Sequence, residues 1–348
     1  GAEPAPAGAQ EPAAEPGDAK TRKLVNDAVA YLRSLARLRD LLPGMILFHE
    51  MSGRPVGAQQ VVRVLLDMLD ALGYVVDEGA GVGRRPTLAS EPFADRPDAG
   101  LLALVLAAFR HFSQVVGEWE QTNPYQQQSL EIVHKLPDSQ EKAFTLLLNS
   151  MGRGILTPQQ CMELCQQCID IFGRLGDAWG MALAQLILAD SANFGGIDPE
   201  RAHRSYQAAL EGFTGLGNRW GEALCLTGLA EVERRTGHLE KAYRMASQSL
   251  EIYCQMGDMW RQVSTRQMLG EIAECLGSLD EARTHFEANL AHFSRMGDGP
   301  AQEHFRKRLE HLDQIAGTVG LGSPREPQEQ VGLGSDQVST SAVLESRA

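Results

Sequence analysis

The chain has 348 residues, of which 43% are hydrophobic, so it is long enough for two domains or one extended array with a substantial core. Its formal net charge of −13 argues against nonspecific binding to nucleic acid, because contact with phosphate depends mainly on Lys and Arg. Its apolar runs, such as 101–109, are far shorter than the roughly 20 residues that cross a bilayer, so we expect no membrane span.

Both ends of the chain have the composition of disordered segments. Residues 1–19 are nearly all Ala, Pro, Glu, Gly and Gln, and residues 317–348 are rich in Gly, Pro, Gln, Ser and Thr. Such segments cannot bury enough apolar surface to offset the entropy lost on ordering. We therefore predict a disordered linker at 1–19 and a disordered tail at 317–348.

The region 20–98 predicts a small helical or winged-helix-like unit. A helical pattern begins at Leu24, an amphipathic helix is expected at 57–72, and a glycine-rich turn separates the short apolar pieces of 74–88. This order resembles a winged helix, with 57–72 as the recognition helix and 74–88 as the wing. Its recognition helix carries Arg63 as its single basic residue, which weakens direct reading of DNA bases. The alternative is a set of degenerate helical repeats.

A second resemblance lies in the same region. Lys20–Ala36, KTRKLVNDAVAYLRSLA, is similar to the segment before the catalytic lysine in membrane-bound ClpP-class serine proteases of the nodulation-efficiency type. The sequence after it departs from that family, because Leu38-Arg39-Asp40 replaces the expected continuation. This resemblance implies a protease remnant, and chance similarity between two helices is the alternative.

From 99 to 316 the chain is periodic. Gly176, Gly217, Gly257 and Gly297 follow one another at spacings of 41, 40 and 40 residues. Other columns share this period: a small residue recurs at Ala189, Ala230 and Gly270, and another at Ala202, Ala242 and Ala282. A fixed period near 40 residues, with helical spacing inside it, predicts a stack of helix pairs, each with a helix A and a helix B.

These columns resemble tetratricopeptide (TPR) repeats of the 40-residue kind found in bacterial signalling ATPases, in regulators of the maltose-activator type and in animal polarity scaffolds. The matching residues are the small residue of helix A, the Ala that opens helix B, and an aromatic near the middle of helix B at Tyr206 and Phe286. The resemblance implies an all-α fold, an α-α superhelix or TPR solenoid over 99–316, and a surface that binds partners.

The joint between helix B and the next helix A has a recurring motif. It reads LGDAWG at 175–180, LGNRWG at 216–221, MGDMWR at 256–261 and MGDGPA at 296–301. We expect the Gly to adopt the left-handed conformation that ends helix B, and the following Asp or Asn to cap the next helix A. We expect Trp179, Trp220 and Trp260 to pack between adjacent repeats, with a ligand-stacking stripe as the alternative.

Helix A of each pair is expected to line the concave side of such an array. Counted from the small-residue column, the side chains predicted to face a partner there are Gln185, Asp190, Asn193, Thr227, Glu231, Arg234, Arg235, Gln267, Glu271 and Glu274; Leu186 falls on the same side. No Lys stands among them, which argues against the carboxylate clamp of chaperone-binding TPR proteins. Arg234 and Arg235 are candidates for gripping an acidic peptide, and the alternative is that both side chains are simply solvated.

The patterns that suggest chemistry have structural explanations. Cys161, Cys165 and Cys168 have the spacing of a radical S-adenosylmethionine cluster motif, but they occupy columns that pack helix B in every repeat, so we predict buried thiols. Buried thiols also favour a reducing, cytoplasmic location over a secreted disulfide framework. We predict no catalytic residue, no cofactor and no metal site.

The sequence therefore predicts a non-enzymatic interaction or sensor module that binds a protein, peptide or effector, as part of a bacterial regulatory protein. The alternative is a transcription regulator whose N-terminal winged helix binds DNA and whose repeats act as its sensor.

Overall fold

The computed structural model describes residues 75–76, 86–87, 99–116, 123–151 and 155–320. Two short strands, β1 (Val75–Val76) and β2 (Pro86–Thr87), pair antiparallel, with Val75 opposite Thr87. The helices of the described part are α1 (Ala99–Val116), α2 (Asn123–Val133), α3 (Gln140–Ser150), α4 (Pro158–Leu175), α5 (Ala178–Asn193), α6 (Pro199–Gly215), α7 (Arg219–Arg235), α8 (Leu239–Met256), α9 (Met259–Cys275), α10 (Leu279–Met296) and α11 (Gly299–Gly320).

Helices α2 and α3 both pack against α1. This helix is apolar on nearly every side, and all its residues from Leu101 to Phe109 are buried, because α2 and α3 both pack against it. Polar side chains tie the three helices together: Ser129 Oγ donates to the carbonyl of Ala103 at 2.7 Å, and Asn149 Nδ2 donates to Ser129 Oγ at 2.9 Å. These bonds satisfy polar groups that burial has removed from water.

Successive helices from α3 to α9 pack against one another, as expected for stacked helix pairs. Helices α3, α5, α7 and α9 stand in the helix-A register, and α4, α6 and α8 in the helix-B register. The predicted all-α repeat over this region is confirmed. The residues that the structure describes divide into two compact units, one ending at His285 and the other beginning at Phe286.

The joints between helix B and helix A have the predicted geometry. Gly176, Gly217 and Gly257 have φ values of 70°, 66° and 70°, a region in which an L side chain is strained. The next residue caps the following helix: Asp177 Oδ1 accepts from the backbone N–H of Gly180 at 2.8 Å, and Asn218 and Asp258 make the same bond in their repeats. The left-handed glycine and the cap are therefore confirmed.

The glycine that follows Trp in the first two motifs has a packing role that the sequence analysis missed. Gly221 lies against the ring of Phe213 on the preceding helix, where an added Cβ would come within 2.3 Å of the ring. Gly180 stands in the same relation to Phe172, at 2.4 Å. In the third motif Arg261 replaces this glycine, and Gln262 Nε2 donates to the carbonyl of Tyr253 at 3.1 Å.

The three tryptophans do not share one environment, as the sequence predicted they would. Trp220 is 7% exposed, and the guanidinium of Arg261 lies 5.6 Å from its ring centroid. Trp179 is half-buried against Phe144. Trp260, however, is 66% exposed, so the prediction of a wedge between repeats is wrong at this position.

The structure locates two helix boundaries, of which the second differs from the sequence-based one. The extra residue of the 41-residue spacing falls where the short 3₁₀ helix Phe194–Gly196 joins α5 to α6, and Gly196 there has a φ of 75°. Helix α11 extends to Gly320, past the predicted end of the array at 316. Within the second unit, Phe293 stacks on Phe305 at 5.8 Å between ring centroids, and Phe305 is buried.

Candidate functional site

The ten side chains predicted to face a partner all lie on α5, α7 and α9. We call them the helix-A face: Gln185, Asp190, Asn193, Thr227, Glu231, Arg234, Arg235, Gln267, Glu271 and Glu274. Each is half-buried or exposed, whereas Leu186, which the same periodicity placed beside them, is 4% exposed and belongs to the core. The helix-A face is thus a polar surface carried by three helices of the same register.

The two arginines of this face are paired with a carboxylate of the same helix. Arg234 Nε and Nη2 donate to Glu231 at 2.8 and 2.9 Å, and Arg235 Nε donates to the same group at 2.6 Å. Partial burial raises the pKa of Glu231, but the bonds from both guanidinium groups outweigh it and hold that pKa below its usual value. Both guanidinium groups are therefore already paired within the helix-A face, and their grip on an acidic peptide stays a prediction.

Arg235 also joins two repeats. Its Nη1 donates to the backbone carbonyl of Asn193, the last residue of α5, at 2.9 Å. A basic side chain at the C-terminal end of a helix satisfies a free carbonyl and interacts favourably with the helix dipole. Arg235 therefore fixes α7 against the end of α5, and this role is structural.

Asp190 has a different environment. Tyr206 Oη, from α6, donates to Asp190 Oδ1 at 2.5 Å, while the aspartate itself remains exposed. Although the residue is exposed, the helices around it reduce the water near its carboxylate, and this desolvation raises the pKa of Asp190 to about 6, against the opposing effects of the Tyr206 bond and the charge of Arg261. Burial, followed by the nearby Asp190 charge, raises the pKa of Tyr206.

The remaining positions complete a mixed polar surface. Gln267 Nε2 donates to Glu271 Oε1 at 3.0 Å on α9. Thr227 Oγ1 donates to the carbonyl of Ala223 and lies 3.3 Å from Tyr253 Oη. Aside from the pair of arginines on Glu231, the ionisable groups of the helix-A face are acidic.

Comparisons with known proteins concern the fold. No protein-family model and no curated protein sequence matches the chain. A signal transduction ATPase with numerous domains (STAND) that has a tetratricopeptide repeat sensor, from Pyrococcus horikoshii, superposes with a TM-score of 0.51 at 15% identity over 64% of this chain and 35% of that one. Aspartyl phosphate phosphatase F from Bacillus subtilis superposes with a TM-score of 0.50 at 14% identity over 65% of this chain and 64% of that one.

The fold is of the TPR type. The all-α fold class, an α-α superhelix of helix pairs, is confirmed for the repeat region. At these identities the likeness establishes the fold alone. The chain spans about a third of the STAND protein and under two thirds of the phosphatase, so the activities of those whole proteins are not carried over.

The cysteines that suggested a cluster are core residues of the TPR helices. Cys165 Sγ lies 3.3 Å from Ser150 Oγ, and Cys168 Sγ donates to the carbonyl of Ala143 at 3.2 Å, so the thiols have separate partners. Burial raises the pKa of Cys165 to about 12 and that of Cys168 well above its usual value. A cysteine binds a metal ion as the thiolate, and the environments of Cys165 and Cys168 disfavour that form. Within the described ranges, no group of three or more His, Cys, Asp or Glu is placed to hold a metal ion.

A cluster that the sequence analysis missed surrounds Glu233, on the side of the TPR array formed by α6 and α8. Glu233 is 4% exposed, and its carboxylate binds three basic side chains: His203 Nε2 at 3.0 Å, His238 Nδ1 at 2.8 Å and Lys241 Nζ at 2.5 Å. The cluster borders a pocket of about 840 Å³. Its sequence signal is that Glu233 stands in the column of Ala192 and Ala273, where a charge is unexpected.

Two sequence-based hypotheses concern the N-terminal region. The pairing of β1 with β2 falls within the predicted wing, 74–88, whereas the predicted recognition helix at 57–72 lies outside the described residues. The segment that resembles a ClpP-class protease, Lys20–Ala36, lies outside them as well, as do most of the linker and tail regions.

None of the described helices combines the length and apolar character needed to cross a bilayer.

Proposed function

We propose that this chain is a non-enzymatic TPR interaction and sensor module that binds a protein or peptide through its helix-A face. One observation carries the proposal: ten predicted positions on α5, α7 and α9 present polar side chains that are all at least partly exposed. A monomeric fold needs no such row for its own packing, because the core lies between the helices. TPR arrays bind partners through surfaces of this kind.

The finer features of the proposal rest on the sequence. The 40-residue period supports the bacterial signalling or maltose-activator type of TPR repeat and, with it, a place in a bacterial regulatory protein. A sensor built from TPR repeats also occurs in the STAND protein of similar fold. The free cysteines of the core, including Cys165 and Cys225, support a reducing, cytoplasmic location.

The test uses two matched pairs of glutamines on the full chain. Gln185→Trp with Gln267→Trp adds bulk to the helix-A face, whereas Gln207→Trp with Gln248→Trp adds the same bulk to exposed positions on helices α6 and α8. Each immobilised variant is exposed to host lysate, and circular dichroism confirms that it is folded.

We expect specific partners of the unmodified chain to be lost from the helix-A variant and retained by the helix-B variant. Equal capture by both variants, or loss from the helix-B variant alone, would show that the partner does not bind the helix-A face.

A second candidate function is a transcription regulator with a winged helix in residues 20–98. The antiparallel pairing of Val75–Val76 with Pro86–Thr87 favours it, because a wing is a hairpin of this kind. An electrophoretic shift assay on the full chain with mixed-sequence duplex DNA tests it. Absence of salt-sensitive binding would eliminate this candidate.

A further inference from the structure

The carboxylates of the helix-A face differ in the side chains that donate hydrogen bonds to them. Glu231 is paired with two guanidinium groups, whereas Asp190 accepts from the neutral hydroxyl of Tyr206. Among the residues that the structure describes, no basic side chain lies within ion-pair distance of Asp190. Asp190 thus presents a negative charge on an exposed part of this face.

The tyrosine that holds Asp190 is itself fixed by packing. Tyr206 is 2% exposed, and its hydroxyl reaches Asp190 past Gly228 of α7. A Cβ at Gly228 would lie 2.2 Å from Tyr206 Cζ, so a larger residue would displace the ring. The bond from Tyr206 occupies Oδ1 and orients the carboxylate, which leaves Oδ2 for a donor from outside.

This combination occurs in a single repeat of the sequence. The column of Tyr206 holds Cys165, Ala246 and Phe286 in the other repeats, and the column of Gly228 holds Ile187 and Met268. A surface that served only the packing of each repeat would be expected to recur with the period. A single oriented carboxylate instead suits recognition of one group on a partner.

The charge of the surrounding face favours a cation. The helix-A face carries four acidic side chains, Asp190, Glu231, Glu271 and Glu274, against the two basic side chains Arg234 and Arg235, which leaves a net charge of −2. The whole chain, at −13, has the same sign. Complementary charge across an interface steers encounter and selects the partner.

We propose that Asp190 binds a lysine or arginine side chain of a peptide partner. The proposal rests on the proposed function, because it requires the helix-A face to bind peptides. The cationic side chain donates to Asp190 Oδ2, while Tyr206 Oη continues to donate to Oδ1.

The test measures fluorescence anisotropy of three labelled, end-capped nonapeptides that differ only in carrying three Lys, three Gln or three Glu. They are added to the full chain, to Asp190→Asn and to Asp170→Asn. Asp170 is an exposed residue of α4 that is hydrogen-bonded by Gln166, so its substitution removes the same charge elsewhere. Asn at 190 keeps an acceptor for Tyr206, and thermal unfolding confirms that both variants are folded.

We expect the Lys peptide to bind best, Asp190→Asn to weaken it about fivefold to tenfold, and Asp170→Asn to change it less than twofold. The affinity for the Lys peptide should also fall between pH 7.5 and pH 5 in the unmodified chain, because Asp190 becomes protonated there, and should stay nearly constant in Asp190→Asn. The charged or titratable groups that act on Asp190 are Tyr206, Cys165, Cys225 and Arg261. Burial raises the pKa of Tyr206 and of both thiols, so these three groups do not titrate in this interval.

The outcomes separate the two proposals. Preference for the Glu peptide, or Lys-peptide binding that Asp190→Asn leaves unchanged but Gln185→Trp with Gln267→Trp abolishes, overturns the role of Asp190 and leaves the proposed function standing. Binding that survives the tryptophan variant, or no binding of any peptide, overturns peptide binding at the helix-A face and the role of Asp190 with it.

Discussion

Gly221 and the ring of Phe213 are in direct contact across the joint between α6 and α7, at a distance that leaves no space for a Cβ. This contact lets helix A approach the preceding helix B. It explains why the joint motif carries a glycine after Trp in two of its copies, which capping alone does not require.

Gly221→Ala should destabilise the fold by about 1–3 kcal/mol, because the added methyl group forces Phe213 out of its packed position. Gly215→Ala is the control: it lies at the end of α6, where an added Cβ meets nothing within 4 Å, and Ala is the better helix former. Urea unfolding measures both. Equal stabilities for the two variants would refute the packing role of Gly221.

The tryptophans of the joint should differ in their contribution to stability. Trp220→Ala should cost about 3–5 kcal/mol, because it empties a buried site beneath Arg261, whereas Trp260→Ala should change stability by less than about 0.5 kcal/mol. Chemical unfolding, followed by circular dichroism so that the signal does not depend on either tryptophan, gives the comparison. A large effect at Trp260 would contradict its exposed position.

Arg110 should contribute strongly to the stability of the first three helices. Its Nη1 donates to the carbonyls of Leu148 and Met151, at 3.3 and 2.8 Å, at the C-terminal end of α3, and burial lowers its pKa to about 10 despite the opposing effect of Cys161. Arg110→Met would remove this donor from the carbonyl of Met151 and leave the carbonyl of Leu148 with only the backbone N–H of Met151, and we expect a loss of about 3 kcal/mol.

Arg204→Met provides the comparison for Arg110→Met. Its side chain is 69% exposed and pairs at 3.8 Å with Glu200, which is also exposed, so the loss should stay below about 0.5 kcal/mol. If both arginine variants unfold at the same urea concentration, the buried bonds of Arg110 do not stabilise the fold.

Glu233→Gln should reduce stability at pH 7 by about 1–2 kcal/mol, because the amide cannot replace a carboxylate that binds His203, His238 and Lys241. Burial raises the pKa of Glu233, but the bonds and charges of these bases outweigh it and lower that pKa below 4.5. The stabilisation is therefore present above pH 4.5 and is lost as the pH falls through the folded-state pKa.

The advantage of the unmodified chain over Glu233→Gln should accordingly shrink between pH 5 and pH 3. Unfolding free energies at several pH values measure this, with Glu200→Gln, an exposed carboxylate, as a variant that should show little effect at any pH. An advantage that stays constant down to pH 3 would mean that Glu233 is not the group that titrates.

Much of the repeat architecture was predictable because its signals are local. A left-handed glycine and an Asx cap need only the residues on either side of them, so Gly176 and Asp177 could be assigned from the sequence. The pairing of Arg234 and Arg235 with Glu231 was equally accessible, because the spacings of three and four residues place these side chains together on one helix.

Features that depend on two or more helices were not predictable in this way. The exposure of Trp260 and the burial of Trp220 differ although their motifs match, because burial depends on which helix covers each ring. The bond of Tyr206 to Asp190 joins two helices and requires the gap at Gly228 on a third. The sequence signal for such features is a residue that differs in type from the residues at the same position of the other repeats, as Gly228 and Glu233 do.

The joints also determine how the array can change in length. Each one is closed by its own short stretch: the left-handed glycine, a backbone bond such as Asn218 N–H to the carbonyl of Phe213, and the side-chain cap that follows. Because these bonds are the same from copy to copy, removal of residues 217–256 would bring Gly257 to the end of α6 in place of Gly217. The segment between successive glycines is therefore a natural unit of duplication and deletion, and chains of this type can gain or lose a repeat without a new turn.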